Sequence, residues 1–98
     1  MIRIDILSQS PEEAVMHVAG RVQYDRDIEL VAQEGTRCLE TSKLLVLDLE
    51  ALHQLSDLAL PLLKQWHTSG RMQILACNHQ IGFKLRREGL IAKEEGRP

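Results

Sequence analysis

Ser56 and Asp57 stand side by side where a short polar stretch meets an apolar run with helical spacing. A hydroxyl and a carboxylate at a helix mouth have two kinds of chemistry open to them. Either can accept from the free N–H groups of the first turn, a cap whose loss costs about 0.5–2 kcal/mol. A carboxylate there gains about 0.3–1 kcal/mol more from the helix dipole. The hydroxyl is also a phosphoacceptor. The carboxylate is a partial imitation of phosphate, with one charge and two oxygens against a charge of about −1.5 to −2 and three oxygens.

Other reactive side chains make weaker sets. His53, Cys77 and His79 are expected just past the C-terminal ends of strands, where they can converge on one edge of a sheet. Zinc takes such ligands, but the three share no ligand-spacing motif, so no metal and no other cofactor is assigned. Cys38 and His17 are the types of a nucleophile and its base. Cys38, however, falls on the apolar stripe of a helix and reads as a buried structural thiol. The chain has no glycine-rich phosphate loop. No catalytic residue is assigned, and the chain reads as non-enzymatic.

The elements that must position Ser56 and Asp57 follow from hydrophobic periodicity. Ile2, Ile4 and Ile6 alternate with Arg3 and Asp5, which predicts a strand with one wet face near a sheet edge. A turn around Pro11 leads to a second strand over Ala14–Val22, apolar on both faces apart from His17, and the two pair as a hairpin. Ile28, Val31, Ala32, Gly35, Cys38 and Leu39 fall at steps of three and four, which predicts an amphipathic helix with Asp25 or Asp27 as its N-cap. Gly35 lies on that stripe and marks close approach to a strand rather than a break.

Lys43–Leu49 is an apolar run broken at Asp48, a central buried strand. After a short polar loop, Leu58, Ala59, Leu62, Leu63 and Trp66 line a second helix, with Pro61 in or near its first turn and Gly70 at its end. Met72–Cys77 is a further strand. Asn78 is the N-cap of a last helix through Arg87, with Ile81 and Leu85 inward and Gly89 after it. The order is β-β-α-β-α-β-α: a four-stranded mixed sheet whose last three strands are parallel, with the crossover helices on one face. Residues 1–92 form one α/β domain and 93–98 a polar tail.

Composition bounds the function. Ninety-eight residues make one domain with a single core, burying roughly 60–65% of the unfolded surface. Tyr24, Trp66 and Phe83 are the only aromatics, so the core is aliphatic. A net charge of −2 with interspersed signs offers no nucleic-acid footprint, and Arg86–Arg87 reads as a complement to a helix C-terminus. Two unpatterned cysteines and an N-terminus without a targeting pattern point to reduced, buried thiols in a cytoplasmic protein. No apolar run approaches the roughly 20 residues of a membrane span.

With this punctuation the chain resembles the STAS domain, the fold of bacterial anti-sigma factor antagonists. The similarity runs from about Ala14 to Leu90. It rests on VAGRVQYDRD (a strand ending in glycine before an acidic helix start), LVLDLEAL at the central strand, Gly70 before Met72, and Gly89–Leu90 at the last helix. In kinase-regulated members, Asp-Ser-Ser-Gly opens the helix after the central strand, and its first serine is phosphorylated. Ungapped from Asp48, that motif falls on Ser56, Asp57, Leu58 and Ala59. Aspartate therefore holds the phosphoacceptor position, so the resemblance implies the fold without the usual switch.

The resemblance further implies a partner-binding surface made of His53, Gln54, Ser56, Asp57 and Leu58 with Gln23, Tyr24 and Asp25. The implied partner is a protein: an anti-sigma factor kinase or another signalling ATPase. Some stand-alone STAS proteins instead serve as the small cytosolic subunit of a lipid-transporting ABC complex, and loss of the phosphoserine is compatible with that role. In the resembled family, phosphorylation weakens binding to the kinase. A permanent acid at that position would hold the module in the weak-binding state or direct it to another partner.

Overall fold

A computed structural model describes residues 2–91. The polar tail expected over 93–98, and the end of the domain at residue 92, lie outside the described residues. The elements are β1 (Ile2–Gln9), β2 (Glu13–Val22), α1 (Asp25–Thr41), β3 (Leu44–Leu49), β4 (Leu52–Leu55), α2 (Leu60–Thr68), β5 (Met72–Cys77) and α3 (His79–Arg87). A 3-10 turn over Asp57–Ala59 precedes α2.

The mixed sheet runs β1-β2-β3-β5, with β1 antiparallel to β2 and the other neighbours parallel. This is the expected order with one strand more. β2 is ten residues long and outlasts β3. Its first half pairs with β3 and its last three residues with β4. The stretch expected to be a polar loop is therefore a turn at Glu50–Ala51 followed by a four-residue strand. Asp48 makes the turn, its Oδ1 accepting from Glu50 N at 3.2 Å. Four residues with buried ends and exposed middle (Leu52 and Leu55 against His53 and Gln54) carry no period-two signal, which is why the strand is invisible to periodicity.

Alternation along the strands separates two faces. Ala14, Met16 and Val18 of β2 and Leu45, Leu47 and Leu49 of β3 join one core with Val31 and Cys38 of α1, Leu60, Leu63 and Trp66 of α2, and Ile81 and Leu85 of α3. Both crossover helices thus lie on one face, as the handedness rule requires. Gly35 does mark close approach, to α2 as well as to the strand β3, whose Leu45 Cδ2 would lie 3.1 Å from an added Cβ. A Cβ there would lie 2.7 Å from Cζ2 of Trp66, so the missing side chain lets α1 and α2 pack together.

The α1 start departs from expectation. Tyr24 occupies the N-cap, and Asp27, in the first turn, reaches back so that its Oδ2 accepts from Gln23 N at 3.1 Å and Tyr24 N at 3.0 Å. A carboxylate at N3 reaches back to the N–H of the N-cap residue itself, the N3 half of a capping box, and here serves the N–H before it as well. The start of α2 also differs. Leu58 was expected on the inner face but is 67% exposed, and Leu60 takes the buried place. The 3-10 turn winds three residues per turn, which rotates Leu58 outward. Cys38 is buried, while Cys77 is only half-buried, and both are free thiols.

Candidate docking surface

Ser56 and Asp57 sit at the end of β4 and take different roles. The Ser56 side chain accepts from Leu58 N at 3.1 Å and caps the 3-10 turn. Asp57 caps nothing. Its Oδ1 accepts from Lys84 Nζ of α3 at 2.8 Å, and the same ammonium donates to the Leu55 carbonyl oxygen at 2.7 Å. The hydrogen bond and the positive charge of Lys84 hold the Asp57 carboxyl below its ordinary value of 3.8. An open groove of about 320 Å³ lies between this turn and α3, lined by His53, Ser56, Asp57, Gln80 and Lys84 among others.

The two sequence segments of the expected surface meet. β2 and β4 are parallel neighbours that end together, with Val22 opposite Leu55. Ser56 N donates to Val22 O at 2.8 Å, and Gln23 Nε2 donates to Gln54 Oε1 at 3.0 Å. Tyr24 begins α1 immediately beyond, 59% exposed, with the Arg26 guanidinium 5.9 Å from its ring centroid. Asp25 is exposed in the first turn of α1, and His53 and Gln54 are exposed on β4. The result is a continuous surface at the C-terminal end of β2 and β4, from which Tyr24 and Leu58 project.

Lys84 and Gln80 are members that sequence reasoning missed. Lys84 is 27 residues from Asp57. No spacing rule links them, because α3 is brought there by the sheet. Asn78 is the anchor: its Oδ1 accepts from Ile81 N at 2.9 Å as the expected N-cap, and its Nδ2 donates to the Leu52 carbonyl oxygen, tying α3 to β4.

The alternative constellations are not assembled. Among the described residues there is no cluster of three His, Cys, Asp or Glu side chains that could hold a metal ion. His17 does not meet Cys38. It lies on the helix-free face of the sheet, where its Nδ1 is 3.2 Å from Asp48 Oδ2 on the adjacent strand. Burial pushes both cysteine thiols above their ordinary range, which disfavours the reactive thiolate. Among the described residues no helix is long and apolar enough to cross a membrane.

No family model matches the chain, and no curated protein matches it. A solved structure does: the anti-sigma factor antagonist SpoIIAA in its unphosphorylated form, with a TM-score of 0.64 over 92% of this chain and 82% of that one, at 12% sequence identity. The α/β architecture implied by the motifs around Gly20, Asp48, Gly70 and Gly89 is thereby established: the chain has the STAS fold of an anti-sigma factor antagonist.

Proposed function

We propose that this protein is a non-enzymatic regulatory module that docks on a protein partner through the joined surface of Gln23, Tyr24, Asp25, His53, Gln54, Ser56, Asp57 and Leu58. The observation that carries the reading is the pair of exposed apolar side chains, Tyr24 and Leu58, on segments held together by β2–β4 pairing and the Gln23–Gln54 bond. Apolar anchors inside a polar rim are what an interface centre requires. The fold shared with an anti-sigma factor antagonist supports the class of partner, an anti-sigma factor ATPase of the histidine-kinase-like type acting in the cytoplasm.

Asp57 occupies the position of the family's phosphoserine, and serine phosphorylation is not the switch in this reading. Lys84 already neutralises the carboxylate, so the surface presents an ion pair rather than a lone anion. Titration calorimetry with such an ATPase tests the proposal. Leu58→Asp should weaken binding by tenfold or more, since truncating an anchor costs roughly 2 kcal/mol or more. If Asp57 acts as an inhibitory phosphate mimic, Asp57→Ser and Asp57→Ala both tighten binding. Equal affinity of all three proteins would remove the mimicry and leave the docking surface. Recovery of an ABC transporter ATPase as the partner, with no binding to the kinase-like ATPase, would replace this reading with that of a transporter accessory subunit.

A further inference from the structure

β1 is an edge strand: it pairs with β2 on one side, and its other side has no neighbour among the described residues. Such an edge presents unpaired N–H and C=O groups and is usually blunted by bulges, prolines or misplaced charges. Here the blunting is partial. The register with β2 shifts between Ile6 and Ser8, leaving Leu7 as the extra residue of a bulge. That bulge ends the regular edge at Ile6 and leaves a straight run of Ile2, Arg3, Ile4, Asp5 and Ile6.

This run is complementary to itself when antiparallel. With Ile4 on a two-fold axis, Ile4 faces Ile4 of the second copy, Ile2 faces Ile6, and Arg3 faces Asp5. Residues directly opposite in an antiparallel pair share a face and interact most strongly. The isoleucines would extend the helix-side core across the junction, since Ile2 and Ile4 already pack against it and Ile6 is 38% exposed. Arg3 and Asp5 lie on the helix-free face, side by side on one strand 2.9 Å apart, with side chains 78% and 41% exposed. Two such pairs would become a four-charge cluster of alternating sign. Among the described residues α1 lies more over β2 than over β1. β5, the opposite edge, has the sequence MQILAC and carries no charge to set a register.

We infer that β1 is a homodimerisation edge, joining the sheets of two copies into one through a two-fold axis at Ile4, with Arg3 paired to Asp5 of the second copy. The interface is isologous. It shares no residue with the docking surface and does not depend on it.

Sedimentation velocity on the full chain, from about 5 to 500 µM, reads the association directly. The wild type should populate a dimer, and raised salt should weaken it. Arg3→Asp places acid against acid in both cross-strand pairs, and Asp5→Arg places base against base. Each alone should raise the dissociation constant about tenfold. Equimolar mixing of the two variants should restore a dimer, because only the mixed pair is complementary, and so should the double variant Arg3→Asp with Asp5→Arg. Both residues are exposed, and unchanged circular dichroism and thermal midpoints would certify the fold. A wild type that stays monomeric throughout the range overturns the inference. So do single variants that associate like the wild type, or a mixture that fails to recover.

Discussion

Lys84 of α3 reaches back to the turn before α2 and holds Asp57 there, its ammonium 2.8 Å from the carboxylate. Through this one side chain, which also donates to the Leu55 carbonyl oxygen, the distant α3 is joined to both β4 and the 3-10 turn that follows it. The Asp57 carboxyl is thereby kept ionised and partly neutralised.

Removing the ammonium should release that carboxyl. In Lys84→Met the Asp57 pKa rises toward 3.8, its ordinary value. Side-chain carboxyl NMR over an acid titration follows it. The same curve in wild type and variant would mean that the pair does not persist in solution.

Asp27 is a second carboxylate with a lowered pKa, caused chiefly by the N–H donors of Tyr24 and Gln23. The sign follows from linkage: the native state favours the ionised form, so this stabilisation is complete above the unfolded pKa and is lost as pH falls through the lower folded value. Asp27→Asn should lower the urea midpoint at pH 7, and its disadvantage should shrink progressively as the pH falls below about 4. A variant equally impaired at both extremes would assign the cost to shape rather than charge.

At Gly35 an added methyl would press on the Trp66 ring, with Leu45 Cδ2 at 3.1 Å on another side. Trp66 is buried in the core, so its ring has little room to swing away. Gly35→Ala should destabilise by about 1–3 kcal/mol of overpacking, despite the roughly 1 kcal/mol that alanine gains over glycine in a helix. In a Trp66→Leu background the same change should become neutral or favourable. A double-mutant cycle by chemical denaturation reads the coupling, and additivity would rule out the contact as the cause.

Arg71 closes the C-terminal end of α1 from outside the helix. Its guanidinium donates to the carbonyl oxygens of Leu39 at 2.7 Å, Ser42 at 2.9 Å and Lys43 at 3.2 Å. The last turn of α1 has no basic residue of its own. Arg71→Ala should cost about 1.5–3 kcal/mol, the range for hydrogen bonds to a charged group. Arg71→Lys should recover little, because a single ammonium cannot reproduce the planar fork. Full recovery of the thermal midpoint with lysine would refute the geometric account.

Much of the fold was legible because it is local. Alternation in β1, the three-and-four spacing of α1, the Asn78 cap and the left-handed glycines Gly70 and Gly89 each report on a few neighbouring residues. β4 was not legible, since four residues carry too little pattern. Nor was the outward turn of Leu58, since a 3-10 turn and an α-helix share most of their sequence preferences. Ser56 was legible as a cap, but its neighbour was not: the partner of Asp57 lies on another element.

The sequence by itself determined every strand and helix but β4, most of the apolar faces, and that Ser56 and Asp57 stand at a helix mouth, because those properties depend on residue type and short spacing. The tertiary structure alone decided that Gln23 meets Gln54, that His17 meets Asp48 rather than Cys38, and that Lys84 claims Asp57. These are contacts between elements far apart in sequence, brought together by packing surfaces that no run of neighbouring residues contains.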